Sequence, residues 1–355
     1  MGKIVGVCGY LGSGSSACVD LLREFEETQV MDMVHFQIAH MPDGLEDLEY
    51  QLKKNFFHSF IAIDRFRKCI KSFIPGRKND VDKAVDEFLN KIVQNSLMGR
   101  FGFGDKYLCS SAEEYIIRKV HELIFRLHLD KLYKNIDKCI YKFLPYRIEY
   151  GIRPEDFDEA SKFFISDILN TLGYHKEKEI LVLKHPFSTY NPIKSFKFFE
   201  NPVAIIVDRD PRDQYLLLRH FERLTYVPHN VDDFIRFFHF KRQSSLDLQM
   251  YDDVMFLKLE DLVYNYGNTV KKVTDFVGIT QHSFKGKHFR PTLSRNNMQL
   301  FKKYTGYESD MKKIERELAK YIYPFEDYPD IVPEGETFTL SPSQLQSNNM
   351  VRFKI

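Results

Sequence analysis

Lys3-Ile4-Val5-Gly6-Val7-Cys8 runs directly into Gly9-Tyr10-Leu11-Gly12-Ser13-Gly14-Ser15-Ser16. The first six residues have the pattern of a short strand buried on both faces. The next eight are a loop dense in glycine and serine. Residues 16–25 then read as a helix, with Cys18, Leu21, Leu22 and Phe25 along its apolar side. Strand, glycine-rich loop and helix together open an α/β domain. Glycines let such a loop turn tightly with its N–H groups inward. The helix N-terminus adds partial positive charge, and serine hydroxyls add donors. The stretch therefore reads either as an anion cradle or as an ordinary tight turn.

The loop is close to the nucleotide-triphosphatase pattern G-x-x-x-x-G-K-[ST], but Ser15 stands at the lysine position. Further along, Ile180–Lys184, residues 203–207 and Val254–Lys258 are short apolar runs of the same kind. Residues 30–36 are a less regular fifth candidate. Between about residues 45 and 172 the period is helical, as in Leu45, Leu48, Leu52, Phe56, Phe60, Ile63 and Phe66. The expected architecture is an α/β parallel sheet flanked by helices and interrupted by a large helical insertion. Residues 1–35 and 173–328 form its core, residues 36–172 the insertion, and residues 329–355 an extended or disordered tail.

Each strand is followed by unusual polar residues. Lys184-His185-Pro186 follows the second clear run, Asp208-Arg209-Asp210-Pro211-Arg212-Asp213 the third, and Glu260-Asp261 the fourth. Loops after the strands of an open parallel sheet gather at its carboxyl edge, where ligands bind. His185 suits proton transfer near neutral pH, and Lys184 suits stabilisation of developing negative charge. Arg209 suits bidentate capture of a phosphate. Pro211 fits the first turn of a helix, with Asp213 in a structural role.

These motifs, in this order, resemble the sulfotransferases that use 3′-phosphoadenosine 5′-phosphosulfate (PAPS), in a bacterial-type form. The family's phosphosulfate loop reads like P-K-S-G-T-T, and Gly12-Ser13-Gly14-Ser15-Ser16 stands in its place. Lys184-His185-Pro186 is similar to a shortened K-T-H-x-P, and Arg209 to Asp213 is similar to R-D-P-R-D. Lys258-Leu259-Glu260-Asp261-Leu262 matches in position a later strand followed by Y-E-D-L, and Ser294-Arg295-Asn296-Asn297 looks like a segment closing over the nucleotide. The resemblance spans residues 3–25 and 180–304. It implies a P-loop-like fold with PAPS as co-substrate and no metal. Gly12, Ser13, Gly14, Ser15 and Ser16 would hold the 5′-phosphosulfate, and Arg209, Ser294 and Arg295 the 3′-phosphate. His185 would be the base, with Lys184 at the leaving group. Two positions depart from the pattern: Gly12 replaces the loop lysine, and Leu217 replaces a serine that binds the 3′-phosphate.

The implied acceptor is a hydroxyl or amine of a cell-surface glycan or its lipid-linked precursor, the latter reached by peripheral membrane association. Two other classes stay open. Residues 203–207 followed by Asp208 also match the strand and magnesium-binding Asp of a P-loop kinase with a degenerate loop. A non-catalytic nucleotide-binding protein is the other.

The chain of 355 residues has a formal net charge of +1, which excludes a broad basic surface for nucleic acid. Cys8, Cys18, Cys69, Cys109 and Cys139 contain no C-x-x-C pair, as expected of a reduced protein without a zinc site. No apolar run approaches the length of a membrane span. These features predict a soluble, cytoplasmic protein.

Overall fold

β1 (Lys3–Gly9) leads through α1 (Ser15–Leu22) into β2 (Thr28–Val30). There follow α2 (Leu45–Lys54), α3 (Ser59–Phe73), α4 (Lys78–Ile92), β3 (Asn95–Gly99), α5 (Ser111–Arg126), β4 (Tyr146–Tyr150) and α6 (Phe157–Thr171). The chain then forms β5 (Ile180–Lys184), α7 (Ile193–Phe196), β6 (Pro202–Asp208), α8 (Pro211–His220) and α9 (Val231–Gln243). Last come β7 (Val254–Lys258), α10 (Asp261–Tyr264), α11 (Tyr266–Val277), α12 (Pro291–Ser294) and α13 (Glu308–Glu317). This computed structural model describes residues 2–31, 35–74, 78–100, 111–129, 135, 138–139, 146–151, 156–174, 179–220, 228–243, 250–280 and 286–328. The expected tail at 329–355 and parts of the expected helical insertion, residues 101–110 and 140–145 among them, lie outside these residues. The chain forms two units, Met1–Gln37 with Tyr174–Ile355, and Ile38–Gly173.

In the first unit five parallel strands lie in the order β2-β5-β1-β6-β7. Ile4 to Cys8 are buried because β1 is the central strand and α1 covers one face. Val5 is opposite Val182 on one side and Val203 on the other. Each such fully buried apolar side chain contributes about 1.5–3 kcal/mol. Val5, Val7, Cys18, Leu21, Leu22, Val182, Ile205 and Val207 share one core with α10 and α11. The chain leaves β1 toward β2 on one side, and β6 and β7 add on the other. The strand order thus reverses at β1, and the crevice beyond its carboxyl end is where an open α/β sheet takes ligands.

Two elements differ from the sequence expectation. The edge strand, Thr28–Val30, begins before residue 30, and residues 32–34 of the expected run lie outside the described residues. Thr28 Oγ1 donates to the carbonyls of Leu22 and Phe25, at 2.6 and 2.9 Å, so the strand begins where α1 ends. The second unit is not wholly helical. Its β3 and β4 pair antiparallel, with Leu97 opposite Ile148. Tyr146-Arg147-Ile148-Glu149-Tyr150 alternates with the period of a strand, and its buried Glu149 accepts from Arg67 Nη2 at 2.8 Å. The helices of this unit pack through Phe66, Phe88 and Phe164, the last two stacked at 4.9 Å. Among the described residues no helix is long and apolar enough to cross a membrane.

Candidate active site at the carboxyl edge of the sheet

The loop after β1 closes on itself before α1 begins. Ser13 N–H donates to the Tyr10 carbonyl at 2.9 Å. Gly12 and Gly14 take φ of 78° and 86°, the left-handed region that glycine enters without cost. Gly14 is the residue before α1, and Ala17 N–H donates to its carbonyl at 2.9 Å, so the Ser15 and Ser16 amides are the ones the helix start leaves without an intrahelical acceptor. Ser13 is fully buried, and its Oγ has no hydrogen-bond partner. A buried hydroxyl in that state is costly unless a ligand completes it. The loop therefore fits an anion.

His185 follows β5 and stands beside this loop. β5 pairs with β1 so that Lys184 is opposite Val7, and His185 N–H donates to the Val7 carbonyl at 2.9 Å. Phe187 packs across Gly6, where a Cβ would come within 2.3 Å of its ring. These contacts bring the 185–187 segment against β1. His185 Nε2 lies 3.3 Å from the Ser15 hydroxyl. Its φ is 51°, a left-handed value uncommon outside glycine and a frequent mark of a functional position. Thr189 Oγ1 donates to the Gly9 carbonyl at 3.2 Å and ties the same segment to the start of the loop.

Arg209 joins the loop to the 295–300 segment. It is 2% exposed. Its Nη1 donates to the Gly12 carbonyl at 3.4 Å and its Nη2 to the Asn297 carbonyl. Nε is buried without a partner, the second orphaned donor of the site after Ser13 Oγ. Asp213, one helical turn on, lies 3.9 Å from the guanidinium and accepts from the N–H groups of Gln299 and Leu300 at 2.7 and 2.6 Å. The structural role expected of Asp213 is thus visible in its bonds. Arg295 is 7% exposed, with Nη1 3.4 Å from the Met298 carbonyl and its guanidinium over the Tyr264 ring. Ser294 is the last residue of α12, directly before it.

The remaining charges of the arginine motif face inward. Asp210 takes a bidentate ion pair from Arg212, at 3.1 and 2.8 Å, and Arg212 reaches Glu315 at 2.9 Å. Asp208 is held by Arg242 and, at 3.2 Å, by Lys258. Burial raises the Asp208 carboxyl, but Lys258 and Arg242 outweigh it and hold the group below its ordinary range. Glu260 accepts the Asp210 N–H at 2.8 Å, and burial pushes its carboxyl up to about 8. Burial likewise raises Asp213 to about 6, against the pull of Arg209.

Lys184 is in a different environment from the loop. Burial lowers its ammonium, with Asp20 raising and Arg23 lowering it, and both of these residues follow the first turn of α1. Gly12 faces α8: a Cβ there would lie 3.4 Å from Leu218 and 3.5 Å from Leu217. The two departures from the family pattern are therefore neighbours. Among the insertion's charges, Lys53 pairs with Glu49, Arg65 with Asp43, and Arg67 with Glu149.

Sequence reading missed several partners. Arg242 comes from α9, whose aromatic-rich sequence was not read as an element. His35 packs on His185 with ring centroids 4.6 Å apart. Its only signal was a histidine near the end of an irregular strand candidate.

No protein-family model and no curated protein matches this chain. Among solved structures it is similar to the sulfotransferase domain from the Synechococcus PCC 7002 olefin synthase. That alignment has 18% identity over 57% of this chain and 72% of that one, with a TM-score of 0.27. It is also similar to the sulfotransferase STF9 from Mycobacterium avium, at 12% identity over 94% of this chain and 78% of that one, with a TM-score of 0.36. At these scores the chemistry has to be read from the residues themselves.

Proposed function

We propose that the sheet-bearing unit transfers a sulfuryl group from PAPS to a hydroxyl or amine acceptor. The observation that carries this reading is the contact between Ser15 and His185: a base stands at the edge of an anion cradle. Sulfuryl transfer needs in-line positioning and stabilisation of charge moving onto the leaving phosphate. In this reading the amides and hydroxyls of residues 12–16 hold the 5′-phosphosulfate. His185 Nε2 takes the acceptor proton as the acceptor oxygen bonds to sulfur. The sulfur–oxygen bond to the phosphate breaks, and the loop and the start of α1 stabilise the charge left on adenosine 3′,5′-bisphosphate. Arg209, Ser294 and Arg295 form the 3′-phosphate side, where the buried Arg209 Nε is an available donor. Lys184 acts at longer range.

The proposed acceptor is a glycan or glycan precursor, met in the cytoplasm, following the family resemblance. The test is release of adenosine 3′,5′-bisphosphate from PAPS across a panel of glycan acceptors, with His185→Ala as control. Acceptor-dependent release that His185→Ala removes supports the reading, and release equal in both proteins overturns it.

A binding-only role is favoured by one observation, the apolar contact of Leu217 and Leu218 at Gly12. Binding of the bisphosphate without turnover on any acceptor would select it. A kinase reading is disfavoured by Asp208, whose carboxylate is engaged by Arg242 and Lys258 rather than open to magnesium.

A further inference from the structure

We infer that His35 is a positioning residue for His185. The inference rests on the sulfotransferase reading for its kinetic consequence, though not for its geometry. Phe36 N–H donates to the Lys184 carbonyl at 2.8 Å, which ties Phe36 to the end of β5. Phe36 is buried and packs edge-on to Phe199 at 6.4 Å, which anchors this stretch. His35 is thereby set next to His185, with ring planes tilted by 41° and centroids 4.6 Å apart.

Three contacts among the described residues help to hold His185. Its backbone is tied to Val7, its Nε2 meets Ser15, and its ring packs on His35. A half-buried imidazole can rotate about two side-chain torsions, and the χ2 well is broad. The backbone bond fixes neither torsion. A packed ring restricts both and keeps Nε2 on the Ser15 side of the loop. A base displaced by about an ångström can cost up to about a hundredfold in rate. The role needs a flat ring at position 35 rather than an imidazole.

The experiment compares His35→Ala and His35→Phe in the full chain, with two readouts. The first is the side-chain NMR spectrum of histidine-labelled protein. The His185 ring resonances should carry a ring-current shift that His35→Ala abolishes and His35→Phe retains. The second is PAPS turnover. His35→Ala should lower kcat by about tenfold with KM for PAPS unchanged, and His35→Phe should restore kcat to within about threefold. Unchanged His185 resonances in His35→Ala would overturn the inference. So would equal loss of kcat in both variants, which would assign His35 a chemical role. If the wild-type chain turns over no PAPS, the proposed function fails, while the His185 resonances still decide this inference.

Discussion

The Ser15 hydroxyl and His185 Nε2 lie 3.3 Å apart, although Ser15 opens the helix after β1 and His185 follows β5. Pairing of β1 with β5 creates the contact, since Lys184 is in register with Val7 and His185 is the next residue. An imidazole is thereby placed beside the first turn of α1, where an anion is favoured.

His185→Ala should abolish sulfonation while affinity for adenosine 3′,5′-bisphosphate stays within a few-fold. The backbone bond to Val7 does not need the imidazole, so the loop keeps its shape. Titration calorimetry and a turnover assay on the same sample check this. Lost nucleotide binding with turnover preserved would sink the role.

Arg209→Ala should cost stability and affinity together. It removes the link between the Gly12 and Asn297 carbonyls and leaves the buried Asp213 without its cation. Breaking a buried pair in this way costs about 3–5 kcal/mol. A urea titration should find a loss of that size. Binding of adenosine 3′,5′-bisphosphate should weaken more than binding of AMP. Equal losses would make Arg209 a loop anchor that does not read the 3′-phosphate.

Restoring the loop lysine should not help. Gly12 has φ of 78°, and a side chain there points at Leu217 and Leu218. Gly12→Lys should destabilise the protein by about 1–2 kcal/mol through its left-handed backbone. Turnover should rise no higher than wild type. A clear gain in kcat would show that the missing cation, and not the apolar wall of α8, limits the site.

Stability should fall as pH rises from about 5 to 8. Glu260 titrates near its ordinary value of about 4.3 when unfolded, whereas burial raises it to about 8 in the folded chain. Within that window the folded protein binds a proton that the unfolded chain has lost, so raising the pH favours unfolding. Asp213, raised to about 6, acts in the same direction over the lower part of the window. Glu260→Gln should flatten the thermal midpoint against pH between about 6 and 8. A slope equal to that of the wild type would contradict the assignment.

The sheet was legible in the sequence because a parallel strand buried on both faces leaves an uninterrupted apolar run, as in β1, β5, β6 and β7. Pro211 marked a helix start for a local reason, its fixed φ. β2 was misplaced because side-chain bonds from Thr28, rather than periodicity, set its start. The antiparallel ribbon was hidden because five residues of alternation are outvoted by flanking helical periods. The site was legible as a set of motifs, but its internal contacts were not. Nothing in Arg209-Asp210-Pro211-Arg212 says that one arginine will bridge two carbonyls and the other lock onto Asp210. Those choices depend on Asn297, Glu315 and Phe301, far along the chain.

Thermal denaturation with nucleotides tests the central claim most directly, because a ligand that binds only the folded state stabilises it. Without any metal, adenosine 3′,5′-bisphosphate at 100 times its Kd should add about 2.7 kcal/mol and raise the midpoint by several degrees. AMP at the same concentration should give a smaller rise. No shift with the bisphosphate, or a shift only with ATP and magnesium, would contradict the account.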